Sequence, residues 1–357
     1  MKKIFVISNT TFSIEKFRSH YLNKLSKNFE ILVSTPQKKP KNLLNVKFKS
    51  LNSTNLIYEI FNIIYIIKTF KPDKILVYSF QYQLIVSIIN IFFKIELISL
   101  IAGKGSLFIH SNFKFNLIRK LIIYSIFKIS SKIIFINPLD KKFFCTKFKI
   151  KKKSYLIFTE GLNISSIVRK KNSSKNFIFF GRLILEKGIY EYIEAAKIIK
   201  KNHPNFNFFV SGPISKEKIG QSFIFTKNIK KHLFKNRNTI KYLGFNQDFK
   251  KIFRKMDCLI SPSYSEGAGT SVMEAMMSGL FIIAYKNNGH QFILKNTNNY
   301  ICKKNDVNEI VKGILYFTNL KKKFLEKNSI LSHKKVKNNY SSEQTYNMVK
   351  KIILKKI

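Results

Sequence analysis

Apolar runs of strand length alternate with amphipathic segments of helical period, and this alternation limits the fold more than any other feature of the chain. Strands that alternate with helices form βαβ units, so the first half predicts a parallel sheet with helices on both faces. The predicted strands are 3–8, 30–34, 74–78, 96–101 and 133–136, and the predicted helices lie near 14–27, 55–70 and 82–93.

The same alternation resumes at residue 176, which predicts a second α/β domain. At 357 residues the chain is long enough for two separate cores. The basic residues 147–153 and the polar stretch 170–175 bracket the junction, so we place the domains at 1–168 and 169–335. In the remaining segment 336–357, Ser341-Ser342-Glu343-Gln344 is typical of a capping box and predicts a final helix.

Composition favours an anionic partner. Lys and Arg total 65 against 19 Asp and Glu, a formal charge of +46, which suits nucleic acid, anionic lipid or a phosphorylated substrate. An AT-rich coding bias is the competing explanation for part of this charge. The longest apolar stretch, 82–101, is interrupted by Lys94 and Glu96 and predicts a buried helix and a strand rather than a membrane span. The three cysteines are far apart in sequence, and the N-terminus is a strand rather than a signal peptide, so we expect a cytoplasmic protein.

One polar constellation follows the apolar run that ends near Ile260. Its stretch Glu266-Gly267-Ala268-Gly269-Thr270-Ser271-Val272-Met273-Glu274 places Glu266 in a loop and Glu274 in the first turn of the next helix. The small residues between the two acids allow another molecule to approach the backbone, and helix-start N–H groups favour an anion such as phosphate. The plainer alternatives are a solvated Glu266 and a capping box from Ser271 to Glu274.

A second constellation follows the predicted strand Asn176–Phe180. It begins at Gly181 and places Arg182 and Lys187 in a loop before a helix. A planar guanidinium and a mobile ammonium together suit a diphosphate. Ordinary surface charge is the alternative, because Lys and Arg are so frequent in this chain.

The two constellations together resemble the C-terminal half of retaining GT-B glycosyltransferases of family 4, over about residues 174–295. The resemblance rests on Gly-Arg-Leu-x-x-x-Lys-Gly at 181–188, Ser-Gly-Pro at 211–213, Tyr-Leu-Gly at 242–244, Met-Asp-Cys-Leu-Ile-Ser-Pro-Ser-Tyr-Ser-Glu-Gly at 256–267 and Glu-Ala-Met-Met-Ser-Gly at 274–279. In the first half, Phe17-Arg18, Gly103-Lys104-Gly105-Ser106 and Ile136-Asn137-Pro138-Leu139-Asp140 resemble bacterial members that build capsule, O-antigen or glycan precursors on a lipid carrier. Asn9-Thr10-Thr11 stands where many relatives have a glycine-rich loop.

This resemblance implies the GT-B fold, an α/β architecture of two Rossmann-like domains facing across a cleft, with the last helix returning to the first domain. Residues 1–168 would bind the acceptor and 169–335 the nucleotide sugar. Glu266 would contact the donor sugar, Glu274 the ribose, and Arg182 and Lys187 the diphosphate, with Gly181 and the 267–271 backbone beside the donor. The implied reaction transfers a hexose or N-acetylhexosamine with retention to a lipid-linked saccharide.

Several other chemistries lack their motifs. The sequence has no Asp-x-Asp and no metal-ligand spacing, so we expect neither a metal nor a bound cofactor. It also lacks a phosphate-binding loop of the Gly-x-x-x-x-Gly-Lys type and a complete Gly-x-Gly-x-x-Gly.

Residues 113–132 mix apolar positions with Lys114, Arg119, Lys120, Lys128 and Lys132. Such a segment is either a core helix with a solvated face or a helix that lies on an anionic membrane. His110 is a candidate near the expected cleft, with a surface role as the alternative. For the whole chain, a nucleic-acid-binding protein and a non-catalytic GT-B relative remain the competing hypotheses.

Overall fold

The computed structural model describes the chain except residues 52–54, 104–112, 163–174, 215–220, 246–247 and 356–357, and it describes no side chain in 113–119 or 221–227. The predictions for Lys104–Ser106 and His110, and for the side chains of Lys114 and Arg119, lie outside the described residues. The chain forms two compact units: unit 1 comprises Met1–Asn163 and Tyr340–Ile357, and unit 2 comprises Ile164–Asn339.

Unit 1 is built on a seven-stranded sheet in the order β3-β2-β1-β4-β5-β6-β7, and every neighbouring pair is parallel. The strands β1, β2, β4, β5 and β6 are largely buried on both faces, as their nearly continuous apolar sequences predict. The order reverses between β1 and β4, which makes their carboxyl ends the topological switch point of this sheet. The strands are β1 Lys2–Ile7, β2 Phe29–Ser34, β3 Lys47–Phe48, β4 Lys74–Val77, β5 Glu96–Ile101, β6 Lys132–Phe135 and β7 Ser154–Leu156.

Helices cover this sheet, and local signals set their ends. Asn55 caps the third helix by accepting the Ile57 N–H, and Lys71 and Lys94 end the third and fourth helices in the left-handed conformation. A π-helical turn, Ile14–Arg18, interrupts the first helical segment. The helices are α1 Thr11–Ser13, α2 Ser19–Leu25, α3 Leu56–Phe70, α4 Phe80–Phe93, α5 Phe113–Ile129, α6 Pro138–Phe148 and the C-terminal α14 Ser342–Leu354.

The final helix belongs to unit 1. Ser341 accepts the Gln344 N–H, as the capping pattern predicted, and α14 packs against α2. Glu343 forms an ion pair with Lys24 of α2, and Ser342 donates its N–H to the Leu162 carbonyl. The C-terminal helix is therefore held against α2 and against the segment around Leu162, near the end of Met1–Asn163.

Unit 2 contains a six-stranded sheet in the order β10-β9-β8-β11-β12-β13, again with every pair parallel. Its switch point lies between β8 and β11. The strands are β8 Asn176–Phe180, β9 Asn207–Ser211, β10 Ile240–Tyr242, β11 Cys258–Ser261, β12 Phe281–Ala284 and β13 Tyr300–Ile301. The helices are α7 Ile189–Asn202, α8 Gln221–Lys235, α9 Phe249–Phe253, α10 Thr270–Met277, α11 Asn288–Leu294, α12 Val307–Thr318 and α13 Lys322–Asn339.

The prediction of two parallel-sheet, Rossmann-like α/β domains is confirmed. One boundary is wrong: the helix predicted over 113–132 ends at Ile129, because Lys132 begins β6. Lys132 is buried and its ammonium lies 2.7 Å from Glu96, which also pairs with Lys74. It therefore contributes nothing to the basic surface predicted for this segment. Within the described part of the chain, no helix is both long and apolar enough to span a membrane.

Candidate functional site

The two predicted groups of polar residues lie in loops that follow β8 and β11, the neighbouring strands at the switch point of unit 2. β8 pairs with β11 through the Cα partners Phe177 with Cys258 and Ile178 with Leu259. Gly181 is the first residue after β8, and Pro262 is the first after β11. The loops that begin there leave the same edge of the sheet side by side, where open α/β sheets bind ligands.

Backbone contacts join these two loops. Tyr264 donates its N–H to the Glu186 carbonyl at 3.0 Å, and the Ser263 hydroxyl donates to the same oxygen at 3.2 Å. Gly188 has a φ of 73°, and a Cβ there would lie 2.2 Å from the Pro262 carbonyl oxygen. Only glycine permits this approach. The turn that carries Lys187 is thereby pressed against the loop that carries Glu266.

Lys187 and Glu266 meet in an ion pair with a nitrogen–oxygen distance of 2.5 Å. Their side chains are 22% and 10% exposed, so the pair is mostly shielded but reachable from solvent. Burial by itself raises the pKa of Glu266, but the Lys187 ammonium, His290 and the hydrogen bonds from Lys187 and Ser263 together outweigh it, and the pKa lies below its ordinary value of 4.5. Glu266 is therefore an ionised hydrogen-bond acceptor at neutral pH, and the solvated-loop alternative is wrong.

The first turn of α11, which follows β12, packs against the Glu266 loop. Gly289 packs so closely that a Cβ would lie 2.6 Å from the Glu266 carbonyl oxygen. The next residue, His290, is fully buried, with Nδ1 2.8 Å from the Tyr285 carbonyl and Nε2 3.2 Å from the Ser261 hydroxyl. Because a carbonyl only accepts, Nδ1 carries the proton and Nε2 accepts from Ser261.

Burial lowers the pKa of His290 below its ordinary 6.5, although Glu266 acts in the opposite direction, so the ring stays neutral. Asn287 caps α11 by accepting the His290 N–H and donates its side-chain amide to the Ser263 carbonyl at 2.7 Å. Sequence reasoning missed His290 and Asn287. They follow a third apolar strand at the same sheet edge, and that position was the available signal.

Helix α10 begins earlier than predicted. Gly269, with a φ of 49°, is its N-cap, and no side chain caps it. Gly269 accepts the N–H groups of Val272 and Met273, so the capping box from Ser271 to Glu274 is wrong. Because the helix starts at Thr270, Ser271 already lies in its first turn, and Glu274 lies in the second and is buried.

The predicted small residues line the approach to this helix start. Ala268 and Gly269 are buried, whereas Gly267, Thr270 and Ser271 are half-buried. The first N–H groups of an α-helix have no intrahelical acceptor and carry partial positive charge. The backbone at 267–271 can therefore bind an anionic group.

The β8 side of the site is open. A Cβ on Gly181 would meet nothing within 4 Å. The Arg182 side chain is exposed, and no carboxylate among the described residues forms an ion pair with it. Gly212 packs from the opposite side, where a Cβ would lie 1.7 Å from the Gly181 carbonyl oxygen. Gly181 therefore borders open space, and the residue after it, Arg182, is exposed to solvent.

Metal ligands are not grouped in the described part of the chain, where no cluster of three or more His, Cys, Asp or Glu side chains could hold an ion. The expectation that the protein uses no metal stays a prediction.

The motifs singled out in the first half lie inside unit 1. Arg18 is buried, pairs with Glu160 at 2.5 Å and stacks 4.0 Å from the Tyr78 ring centroid. The Tyr78 hydroxyl bonds to that of Tyr21. Asn137 caps α6 by accepting the Asp140 N–H at 2.7 Å. These residues hold local structure together.

Comparisons with known proteins agree with this geometry. Residues 163–335 match the model of the family described as "Glycosyl transferases group 1". The chain is 27% identical over 204 residues to the N,N'-diacetylbacillosaminyl-diphospho-undecaprenol alpha-1,3-N-acetylgalactosaminyltransferase of Campylobacter jejuni, an alignment covering 52% of this chain and 51% of that protein. It is 29% identical over 166 residues to the poly(ribitol-phosphate) alpha-N-acetylglucosaminyltransferase of Staphylococcus aureus, covering 44% and 32%. The chain thus spans about half or less of the length of these relatives.

Among solved structures, HepE of Anabaena in complex with UDP and glucose superposes with a TM-score of 0.78 at 14% identity, covering 99% of both chains. Sucrose-phosphate synthase of Thermosynechococcus elongatus gives 0.80 at 13% identity, covering 99% and 98%. The chain therefore has the GT-B fold of glycosyltransferases. The match to the family model, residues 163–335, falls almost entirely within unit 2.

Proposed function

We propose that this protein is a glycosyltransferase that transfers a hexose or N-acetylhexosamine from a nucleotide diphosphate sugar. The observation that carries the proposal is the Lys187–Glu266 pair at the unit 2 switch point, beside the start of α10 and the exposed Arg182. The match of residues 163–335 to the glycosyl transferase family supports it. The UDP and glucose bound to HepE support a nucleotide sugar as the donor class.

In this proposal the carboxylate and the cations bind different parts of the donor. Glu266 accepts hydrogen bonds from hydroxyls of the transferred sugar, and Lys187 and Arg182 bind the diphosphate. An ammonium has three N–H donors, so Lys187 can keep its bond to Glu266 and still donate to a phosphate oxygen. The backbone N–H groups at 267–271 donate further hydrogen bonds to the phosphates. Gly181 leaves room for the nucleotide, and Glu274 accepts hydrogen bonds from the ribose hydroxyls.

The proposed reaction retains the anomeric configuration and needs no metal or cofactor. The bond from the anomeric carbon to the diphosphate oxygen breaks, and the acceptor oxygen attacks from the same face. The departing phosphate takes the acceptor's proton. The charge that develops on the diphosphate is stabilised by Lys187, Arg182 and the α10 backbone, which are positioned before the reaction begins.

For the acceptor we propose a lipid-linked saccharide, bound by unit 1. The Campylobacter relative is named for an acceptor on diphospho-undecaprenol, which supports this class. Such an acceptor places the enzyme in the cytoplasm, peripherally on the inner face of the membrane. The steps that consume the product would be further glycosyl transfers of capsule or lipopolysaccharide type.

Thermal unfolding in a panel of UDP-, GDP- and ADP-sugars tests the donor assignment, because a ligand that binds only the folded state raises the melting temperature. We expect one nucleotide series to stabilise the protein and Lys187→Met to reduce that stabilisation. Lys197→Met is the matched control, since Lys197 forms an exposed pair with Glu194 on α7. A protein that responds to no sugar nucleotide would contradict the proposal.

The relatives reported above do not favour the nucleic-acid-binding alternative. We expect nucleic acid to bind weakly, without sequence preference, and to dissociate as salt rises, as any strongly cationic surface does. Tight, salt-resistant binding to one sequence would reverse this conclusion.

A further inference from the structure

Three neighbouring helices of unit 1 turn large apolar side chains toward solvent. On α3, Tyr58, Phe61 and Tyr65 follow the i, i+3, i+7 spacing of one helix face, and Phe61 is 64% exposed. The opposite face of α3 is buried in the core through Ile63, Ile66 and Ile67. Because the inner face already supplies the core, the outer aromatic stripe is not needed for folding.

The next two helices continue this surface. α4 contacts α3 and exposes Ile88, Ile91 and Phe92, of which Phe92 is 82% exposed. α5 contacts α4 and exposes Leu121 and Tyr124. The three stripes belong to adjacent helices, and we call them together the outer face of unit 1. Large exposed apolar side chains grouped on neighbouring helices are typical of an interaction site.

The charge around the outer face has one sign. Lys68 extends the α3 stripe by one turn, and Lys128 does the same for α5, where Lys120 is also exposed. The one acid in these three helices, Glu59, is buried and accepts a hydrogen bond from Tyr82. The described outer face therefore presents aromatic and aliphatic groups with lysines and no exposed carboxylate.

Composition alone does not produce this surface. The described helices of unit 2 come from the same lysine- and isoleucine-rich chain, yet their large exposed apolar residues are scattered. They are Ile198 on α7, Phe234 on α8, Leu315 and Tyr316 on α12 and Ile330 on α13.

We propose that the outer face of unit 1 docks on an anionic lipid bilayer, a surface that would bring the proposed glycosyltransferase to a lipid-linked acceptor. Tyrosine and phenylalanine are favourable at the water–lipid boundary, and lysines near anionic headgroups add electrostatic attraction. A second copy of the chain fits less well, because pairing two such faces brings lysines against lysines.

This surface differs from the one that the sequence predicted. The basic segment 113–132 contributes the exposed residues Lys120, Leu121, Tyr124 and Lys128, but its residues Ile123, Ile126 and Phe127 belong to the core. The larger apolar contribution comes from α3 and α4.

Vesicle flotation of the full-length protein tests the proposal. The face variant combines Phe61→Ser, Ile88→Ser and Phe92→Ser, and its matched control combines Phe234→Ser, Leu315→Ser and Ile330→Ser in unit 2. The charge variant combines Lys68→Gln, Lys120→Gln and Lys128→Gln, and its control combines Lys201→Gln, Lys251→Gln and Lys323→Gln. Vesicles of phosphatidylcholine alone are compared with phosphatidylcholine mixed with phosphatidylglycerol.

We expect the unaltered protein to float with the anionic vesicles and to release as salt rises. The face variant should partition at least about tenfold more weakly, because it loses three inserted apolar side chains. The charge variant should lose the preference for anionic lipid, and both controls should float as the unaltered protein does. Equal flotation of the face variant and its control would overturn the proposal.

Two further measurements separate the remaining outcomes. If sedimentation without vesicles shows a dimer that the face variant dissociates, the outer face is a contact between copies and the proposal fails. Thermal stabilisation by a sugar nucleotide should be unchanged in the face variant. Vesicle binding without any sugar-nucleotide response would leave the docking surface standing and contradict the proposed function instead.

Discussion

The switch points of the two sheets arise from the same topology but hold different contents. In unit 1, between β1 and β4, Arg18 fills the position: it pairs with Glu160, stacks on Tyr78 and lies 3.4 Å from the Ser8 hydroxyl. In unit 2, between β8 and β11, the corresponding position has the open space at Gly181 and the exposed Arg182. The fold supplies a location, and the side chains decide whether that location is closed or accessible to a ligand.

Removing the positive charge of Arg18 in unit 1 should have the largest effect on stability. Arg18→Met leaves the Glu160 carboxylate, 12% exposed, without its partner, and breaking a buried pair costs about 3 kcal/mol or more. We expect a lower melting temperature, with sugar-nucleotide binding by the remaining folded protein unchanged. Arg18→Lys, which keeps the charge, should recover part of the loss. An unchanged melting temperature in Arg18→Met would show that unit 1 does not depend on this pair.

Removing the negative charge of Glu266 in unit 2 should lower turnover rather than stability. Glu266→Gln keeps the size of the side chain but removes the charge that faces Lys187, and we expect turnover to fall by about 100-fold, as for other preorganised polar contacts. The melting temperature should change little, since the amide oxygen still accepts from Lys187. Glu194→Gln, in an exposed pair of the same unit, is the control. Full activity of Glu266→Gln on the natural donor would remove this residue from the site.

Glu274 should differ from Glu266 in the kinetic parameter that changes. We expect Glu274→Gln mainly to weaken nucleotide binding, by about tenfold, the value of one lost hydrogen bond to a charged group. Because Glu274 is not a cap, no loss of helix capping contributes. A fall in turnover with unaltered nucleotide affinity would contradict the assignment to the ribose.

The openness at Gly181 can be tested with one methyl group. Gly181→Ala meets no protein atom, so we expect an unchanged melting temperature and about tenfold weaker binding of the sugar nucleotide. Gly212→Ala is the contrasting variant, because its Cβ would collide with the Gly181 carbonyl and destabilise unit 2. If Gly181→Ala bound the donor normally, the open space would not belong to the binding site.

The buried histidine predicts a pH dependence of stability. Burial lowers the pKa of His290 in the folded protein, whereas the unfolded chain takes up a proton below about pH 6.5. The unfolded state then binds more protons, so stability should fall as the pH drops below that value. The variant His290→Asn keeps a hydrogen-bond donor near the Tyr285 carbonyl but has no titrating ring. We expect its free energy of unfolding to fall by about 1 kcal/mol less between pH 7 and pH 5 than that of the unaltered protein. Chemical unfolding at both pH values measures it, and an identical pH dependence in both proteins would show that His290 does not titrate as proposed.

The smallest expected effect is that of chelation. With Lys187, Arg182 and the α10 backbone as the groups that stabilise the diphosphate, turnover should survive excess EDTA. Loss of turnover that magnesium or manganese restores would show that unit 2 recruits a metal to its open edge.

Much of the fold could be predicted from sequence because its signals are local. The strands Glu96–Ile101 and Asn176–Phe180 match their predicted limits, since an apolar run bounded by polar residues marks a buried strand in any context. The start of α10 was predicted two residues late, because a serine with a glutamate three positions later resembles a cap. Gly269, however, adopts the left-handed conformation and begins the helix first.

The sequence by itself determined the alternation of strands and helices, the loops that carry Gly181–Lys187 and Glu266–Ser271, and the cationic character of the chain. These depend on residues close together along the chain. Only the tertiary structure decided that Lys187 pairs with Glu266 and that His290 lies behind the same loop, because these contacts require β8, β11 and β12 to be neighbours. It also decided that Phe61 and Phe92 face outward, because a helix stripe is buried or exposed according to whether another element covers it, and no described element of unit 1 covers these residues.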